Sequence, residues 1–130
     1  VEMQNFGLND LSARQLRAIL DENDIKWRIV IVSACYSGSF IEALSSPYSL
    51  IITAAAADRA SFGCAQGNEW TYFGQAYFEQ ALRQSHSFTA AFELAREILA
   101  KRENAEGKEA SKPQISIGSE IAAYLATHNL

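Results

Sequence analysis

The 130-residue sequence is short of most features that would assign a class at a glance. Its two cysteines, Cys35 and Cys64, are too few for a disulfide framework, and two thiols are the simpler state than one bridge. Positive charge is scarce: 11 Lys and Arg face 15 Asp and Glu, a net charge of -4. No basic cluster exceeds the pair Lys101–Arg102. That balance argues against nucleic acid as a partner. Long apolar runs are also lacking. Leu50–Ala57 and Ile29–Val32 are far too short to cross a bilayer. No charged-then-apolar leader opens the sequence, so it reads as a soluble domain with its compartment unassigned. An initiator Met is missing, and Val1 in its place suggests a cut piece or a processed product. Repeats and low-complexity tracts are absent.

What is present is an ordinary globular composition, 48% apolar and 20% charged. The length suits one domain over residues 1–130. Ser12 and Gln15 form a capping-box pattern ahead of a helix over 12–22. Trp27–Ala34 reads as a strand, and its unbroken "IVIV" centre suits one covered on both faces. A short helix follows over 39–45 and a second buried strand over Ser49–Ala56. Asp58–Asn68 is a glycine-containing loop. Thr71–Gln84 is an amphipathic helix whose aromatics keep core spacing. Ser87 caps a helix running to about Glu103. A polar, solvated loop, a short strand over Gln114–Ile117 and a helix from Ser119 to Thr127 complete the order.

That order predicts a three-layer α/β/α fold. One helix joins the first two strands, so they run parallel with a right-handed crossover. Two helices precede the third strand, which therefore returns antiparallel at an edge. Ligands in such sheets bind beyond the carboxyl ends of the strands. Cys35 lies at that end of the first strand, and loops 57–70 and 104–113 converge on it. A strand, a cysteine and a small-residue turn into a helix follow the logic of a nucleophile elbow. The following N–H groups stabilise negative charge there. From the residues alone, Cys35 is either reactive or a buried structural thiol. Cys64, on the facing loop, is an ordinary loop thiol or a redox partner for Cys35.

"RIVIVSACYSGSF", then "LIITAAAADRASFGC" and "WTYFGQAYF", resemble the legumain-type cysteine peptidases, family C13 of the caspase-like clan. The likeness covers roughly residues 27–118: an A-C-x-S-G core, a T-A-A strand, a T-Y-x-G helix start and a last short strand ending at Gly118. It implies a mostly parallel caspase-like sheet with an antiparallel strand, whose first strands lie outside this sequence. It implies Cys35 as nucleophile, with its own backbone N–H in the oxyanion hole. Peptide or protein is the implied substrate, with no cofactor and no metal. Thr53, Ala54 and Ala55 fall in the implied substrate-binding group. Ser33 and Gln75 stand where the family sets two acidic pocket residues, so asparagine specificity does not carry over. Asp58 and Arg59 of the top loop are further pocket candidates, or simply a solvated ion pair.

The family's base is a histidine in a His-Gly pair upstream of the cysteine. Only 34 residues precede Cys35, and they hold no histidine. His86 follows a helix of 14 residues that descends about 21 Å, which takes it away from Cys35. His128 is near the C-terminal end. The base is therefore expected upstream of Val1. The alternative is an inactive peptidase-like binding or assembly module. A non-peptidase hydrolase of the α/β-hydrolase kind ranks last, since it demands a histidine at the top after Cys35. A sheet lacking its first strands would expose an apolar edge, to be covered by an N-terminal segment or by self-association. Asn104 in the polar stretch is a speculative self-processing site.

Overall fold

The computed structural model describes residues 11–63 and 71–130. Helix α1 (Ala13–Glu22) starts on the expected capping box: Ser12 Oγ accepts from Gln15 N, and Gln15 Oε1 accepts from Ser12 N. Strand β1 (Arg28–Val32), helix α2 (Ser39–Leu44) and strand β2 (Ser49–Thr53) follow. The next helical stretch is composite: α3 (Tyr72–Gly74), a π-helical run π1 (Gln75–Ala81) and α4 (Leu82–Gln84). Ser87 then caps the long α5 (Phe88–Ala105), ahead of strand β3 (Gln114–Ile117) and helix α6 (Ser119–Thr127).

The sheet order is β1-β2-β3. β1 and β2 are parallel, with Arg28 opposite Ser49 and Val32 opposite Thr53. β3 lies antiparallel on the other side of β2, with Thr53 opposite Gln114 and Leu50 opposite Ile117. The strand directions are those read from the element order.

The two-residue alternation of β2 builds both halves of the core. Leu50 and Ile52 face a cluster with Phe73, Tyr77, Phe92, Leu99 and Ile121 from the later helices. Ile51 faces the other side, with Val32, Phe40 and Leu44, against which Ala13 and Leu16 of α1 pack. Helices on both faces of one mixed sheet make three layers. Each fully buried Leu, Ile or Phe here contributes roughly 1.5–3 kcal/mol by leaving water.

The apolar-run argument holds for β2, whose five residues are all buried. It does not hold for β1. That strand is an edge of the described sheet, and Ile29 remains 41% exposed. A second correction concerns the polar stretch after α5. The helix extends to Ala105, so Asn104 is helical and its peptide bond is not presented in a loop. Glu103 within it is buried, and both its carboxylate oxygens accept from Ser111 N at 3.3 Å. Ser111 O in turn accepts from Ala56 N at 2.9 Å. The stretch is thereby tied to the end of β2 rather than simply solvated.

Candidate active site at the ends of the parallel strands

The register that aligns Val32 with Thr53 sets the ends of β1 and β2 side by side. The chain leaves each as a tight turn. Ser37 is buried, and its Oγ accepts from Ala55 N at 3.3 Å. Gly38 has no room for a side chain: a Cβ there would lie 2.5 Å from Ala57 N and 2.8 Å from Ala56 C. The S-G pair of the A-C-x-S-G core thus fastens the turn after β1 to the turn after β2.

Cys35 sits on that junction as an exposed free thiol. Its sulfur lies 3.2 Å from both Ser61 N and Ser61 O. The thiolate can accept from the first, and the thiol can donate to the second. Tyr36 follows in the left-handed region, at φ 58°. Such a conformation costs a non-glycine residue about 1–3 kcal/mol and needs support from its surroundings. The support is local: Tyr36 N donates to Arg59 O at 2.8 Å. Among the described residues the Cys35 N–H makes no hydrogen bond and is left to a ligand.

Ser33, two residues before Cys35, bonds Thr71 across 2.7 Å. Thr71 is the N-cap of α3, its Oγ1 accepting from Gly74 N at 2.9 Å. On the far side, Tyr72 N donates to Phe62 O at 3.0 Å, one residue beyond the Ser61 contact of Cys35. The start of α3 is therefore built into the site. Gln75, four residues after Thr71, shares its helix face. Gln75 Oε1 accepts from Arg102 Nη1 at 2.8 Å. Arg102 also lies 3.5 Å over the Tyr72 ring and donates to Glu106 through Nε at 3.0 Å. Tyr72 OH donates to the same carboxylate at 2.6 Å. That phenol, then Arg102, hold the Glu106 carboxyl below the usual range, while the bond to Glu106 pushes Tyr72 up.

The remaining candidates divide. Thr53, Ala54 and Ala55 are wholly buried, and Thr53 Oγ1 is spent on Ala55 O at 3.0 Å. Their side chains form the floor under the turns and present nothing to solvent. Asp58 and Arg59 are an ion pair at 3.9 Å, and Arg59 makes a shorter one of 2.5 Å to Glu109. Those contacts join loop 54–63 to loop 106–113. Cys64 lies outside the described residues, and with it the choice between an ordinary loop thiol and a redox partner for Cys35. A cavity of about 320 Å³ lined by Arg96, Ala100, Glu103, Lys112 and Gln114 includes none of the Cys35 turn. Among the described residues no three His, Cys, Asp or Glu side chains gather in a group able to hold a metal ion, and no helix is long and apolar enough to cross a membrane.

Residues 1–123 match the model of the peptidase C13 family. The chain belongs to that family. No curated protein and no solved structure matches it.

In this peptidase C13 member neither histidine comes near the cysteine. His128 stacks on Tyr124, which stacks on Trp27, at ring distances of 4.3 and 4.8 Å. Trp27 precedes β1, whereas Cys35 lies past its far end. The five residues of β1 lie between them and alone span roughly 16 Å. His86 is exposed between α4 and α5, at the end of the helical stretch remote from Thr71. Tyr72, Arg102 and Glu106 were missed in the sequence, where Tyr72 passed for core and Arg102 for a solvated charge. The i,i+4 spacing of Arg102 and Glu106 was the one available sign of a pair.

Proposed function

We propose that this chain carries the nucleophile and the substrate-recognition side of a cysteine endopeptidase, with Cys35 as the attacking group. The Cys35 thiolate adds to a peptide carbonyl carbon, and the oxyanion takes a hydrogen bond from the Cys35 N–H. The carbon–nitrogen bond then breaks, and the amine leaves with the proton that the base took from the Cys35 thiol. Water cleaves the resulting thioester, releasing the acid and restoring the thiol. Membership of the peptidase C13 family supports the reaction class. The observation that carries the reading is Cys35 itself: exposed, at the ends of parallel strands, held by a strained Tyr36 and with its N–H unspent. The base is a histidine contributed from outside the sequence given, since His86 and His128 are both remote. Peptides and proteins are the substrates.

The test uses the whole gene product that contains this chain. Cys35→Ala is expected to lower kcat by several orders of magnitude against a peptide series. Unchanged cleavage would remove Cys35 from the mechanism. The remoteness of both histidines favours a second reading, an inactive module that binds peptides or assembles with a partner. Peptide binding without turnover by the whole gene product would decide for it.

A further inference from the structure

One face of α5 holds a buried acid that is short of partners. Arg96, Ala100 and Glu103 stand four and then three residues apart, so they share that face. Opposite them the chain entering β3 brings up Ala110, Lys112 and Pro113, and the space between is the cavity of about 320 Å³. That volume is in the range of small-ligand sites. Its rim is open at Ala100 and Lys112, whereas Glu103 is only 3% exposed. A carboxylate has about four acceptor positions. Those of Glu103 share one donor, Ser111 N, at 3.3 Å from each oxygen. Among the described residues no cationic side chain pairs with it. Ser111 Oγ is buried beside it and makes no hydrogen bond among the described residues. On the rim, Arg96 is matched by Glu93, while Lys112 pairs with no carboxylate of the described residues. Lys112 is held in place at φ 56°, a strained backbone for any residue but glycine.

We infer that this cavity binds a small zwitterion, an α-amino acid or a dipeptide, with its ammonium on Glu103 and its carboxylate toward Lys112. Buried charge is stable when it is paired and hydrogen-bonded. An ammonium has three donors and no acceptor, so it supplies what the Glu103 oxygens lack. Both bonds are charge-assisted, the stronger kind. The rim cations Arg96 and Lys112 select against a ligand that is positive throughout, and Lys112 gives a carboxylate its counter-charge. Ala100, Ala110 and Pro113 leave an apolar wall for a short side chain. None of these residues belongs to the Cys35 turn, so the inference stands or falls independently of the peptidase reading.

Calorimetric titration of the whole gene product tests it with four probes. These are L-alanine, L-alanyl-L-alanine, L-alaninamide, which lacks the carboxylate, and propionate, which lacks the amine. A zwitterion is expected to bind at one site with a Kd on the order of 1 mM or tighter. It should exceed alaninamide and propionate by about tenfold or more. Which zwitterion is tighter tells a free amino acid from a peptide. Glu103→Gln keeps an oxygen for Ser111 N and removes only the charge. It is expected to weaken binding about tenfold or more while the urea midpoint changes little. Lys112→Met, at an exposed position, should act in the same direction. Should Glu103→Gln fail to fold, Ala100→Leu decides. Its position is helical and exposed, so folding survives, and the larger side chain fills the cavity and removes binding. No binding of either zwitterion at about 10 mM would overturn the inference. So would equal binding of alaninamide or propionate, or wild-type affinity in Glu103→Gln or Ala100→Leu.

Discussion

Gly38 offers the sharpest test of how the cysteine turn is held. An alanine there places a Cβ 2.5 Å from Ala57 N, 2.8 Å from Ala56 C and 3.0 Å from Ala55 O. All three are backbone atoms, so no side chain can rotate away. The segment they belong to is pinned by Ser37 Oγ on Ala55 N and by Ser111 O on Ala56 N. Either the start of α2 or the turn after β2 must move. Overpacking of this kind costs about 1–3 kcal/mol, and contact with pinned backbone argues for the upper half of that range. A domain with roughly 5–15 kcal/mol of stability survives the change. With a urea slope of roughly 2 kcal/mol per molar, the unfolding midpoint of Gly38→Ala should fall by about 1 M. The same shift disturbs the Ser61 peptide against which the sulfur rests, so the Cys35 alkylation rate should change as well. Gly107→Ala is the control. It has nothing within 4 Å and a φ of +67°, so its cost of about 1 kcal/mol is conformational and local. It should leave the alkylation rate alone. A Gly38→Ala protein with wild-type midpoint and wild-type alkylation would refute the account of the S-G pair.

Other perturbations read other joints. The Arg28 hydrogen bond holds the Asp21 carboxyl below its usual 3.8, so its stabilising share is complete above that value and drains as pH falls through the lower folded value. Asp21→Asn should therefore lower the denaturation midpoint at pH 7 and have no effect in stronger acid; an equal effect at both would refute the pairing. Burial pushes Tyr77 up to about 12, so the wild type should lose stability as pH rises from 10 toward 12. Tyr77→Phe should abolish that alkaline step while costing about 1–2 kcal/mol at neutral pH, because Phe88 O loses its 3.1 Å donor. Phe92→Ala should cost about 3–5 kcal/mol by calorimetry or urea unfolding, as a cavity at a 1% exposed site; a loss under about 1 kcal/mol would mean that the cluster collapses around it.

The parts legible in the sequence were those set by local pattern. Ser12 and Gln15 announced α1, Ser87 announced α5, and two helices before Gln114 dictated the antiparallel return of β3. Cys35 was legible as a residue at a strand end because a β-branched run stops just before it. What escaped were matters of distance in space. Nothing in "IVIV" says that β1 lies at an edge of the described sheet while β2 lies inside it. Thr53 to Ala55 were matched by motif alone, and their burial follows from a floor that both turns share. Arg102 was illegible because its meaning depends on Gln75 and Tyr72, some thirty residues away and on another helix. The buried Glu103 escaped for the same reason: its partner is an N–H of the returning chain, not a charge.

The register of β3 has a consequence for the order in which the molecule assembles. β1 and β2 pair residues 21 apart in sequence, Arg28 with Ser49, and so close a modest loop. β2 and β3 pair Thr53 with Gln114 and Leu50 with Ile117, across all of the intervening helical chain. That closure is entropically the more expensive and can be rewarded only once α5 has docked. The last strand, and with it the 106–113 loop that ties down Ala56, is therefore the natural late step in folding and the first unit to open from the native state. The scaffold of the cysteine turn would then be completed by the part of the chain that arrives last.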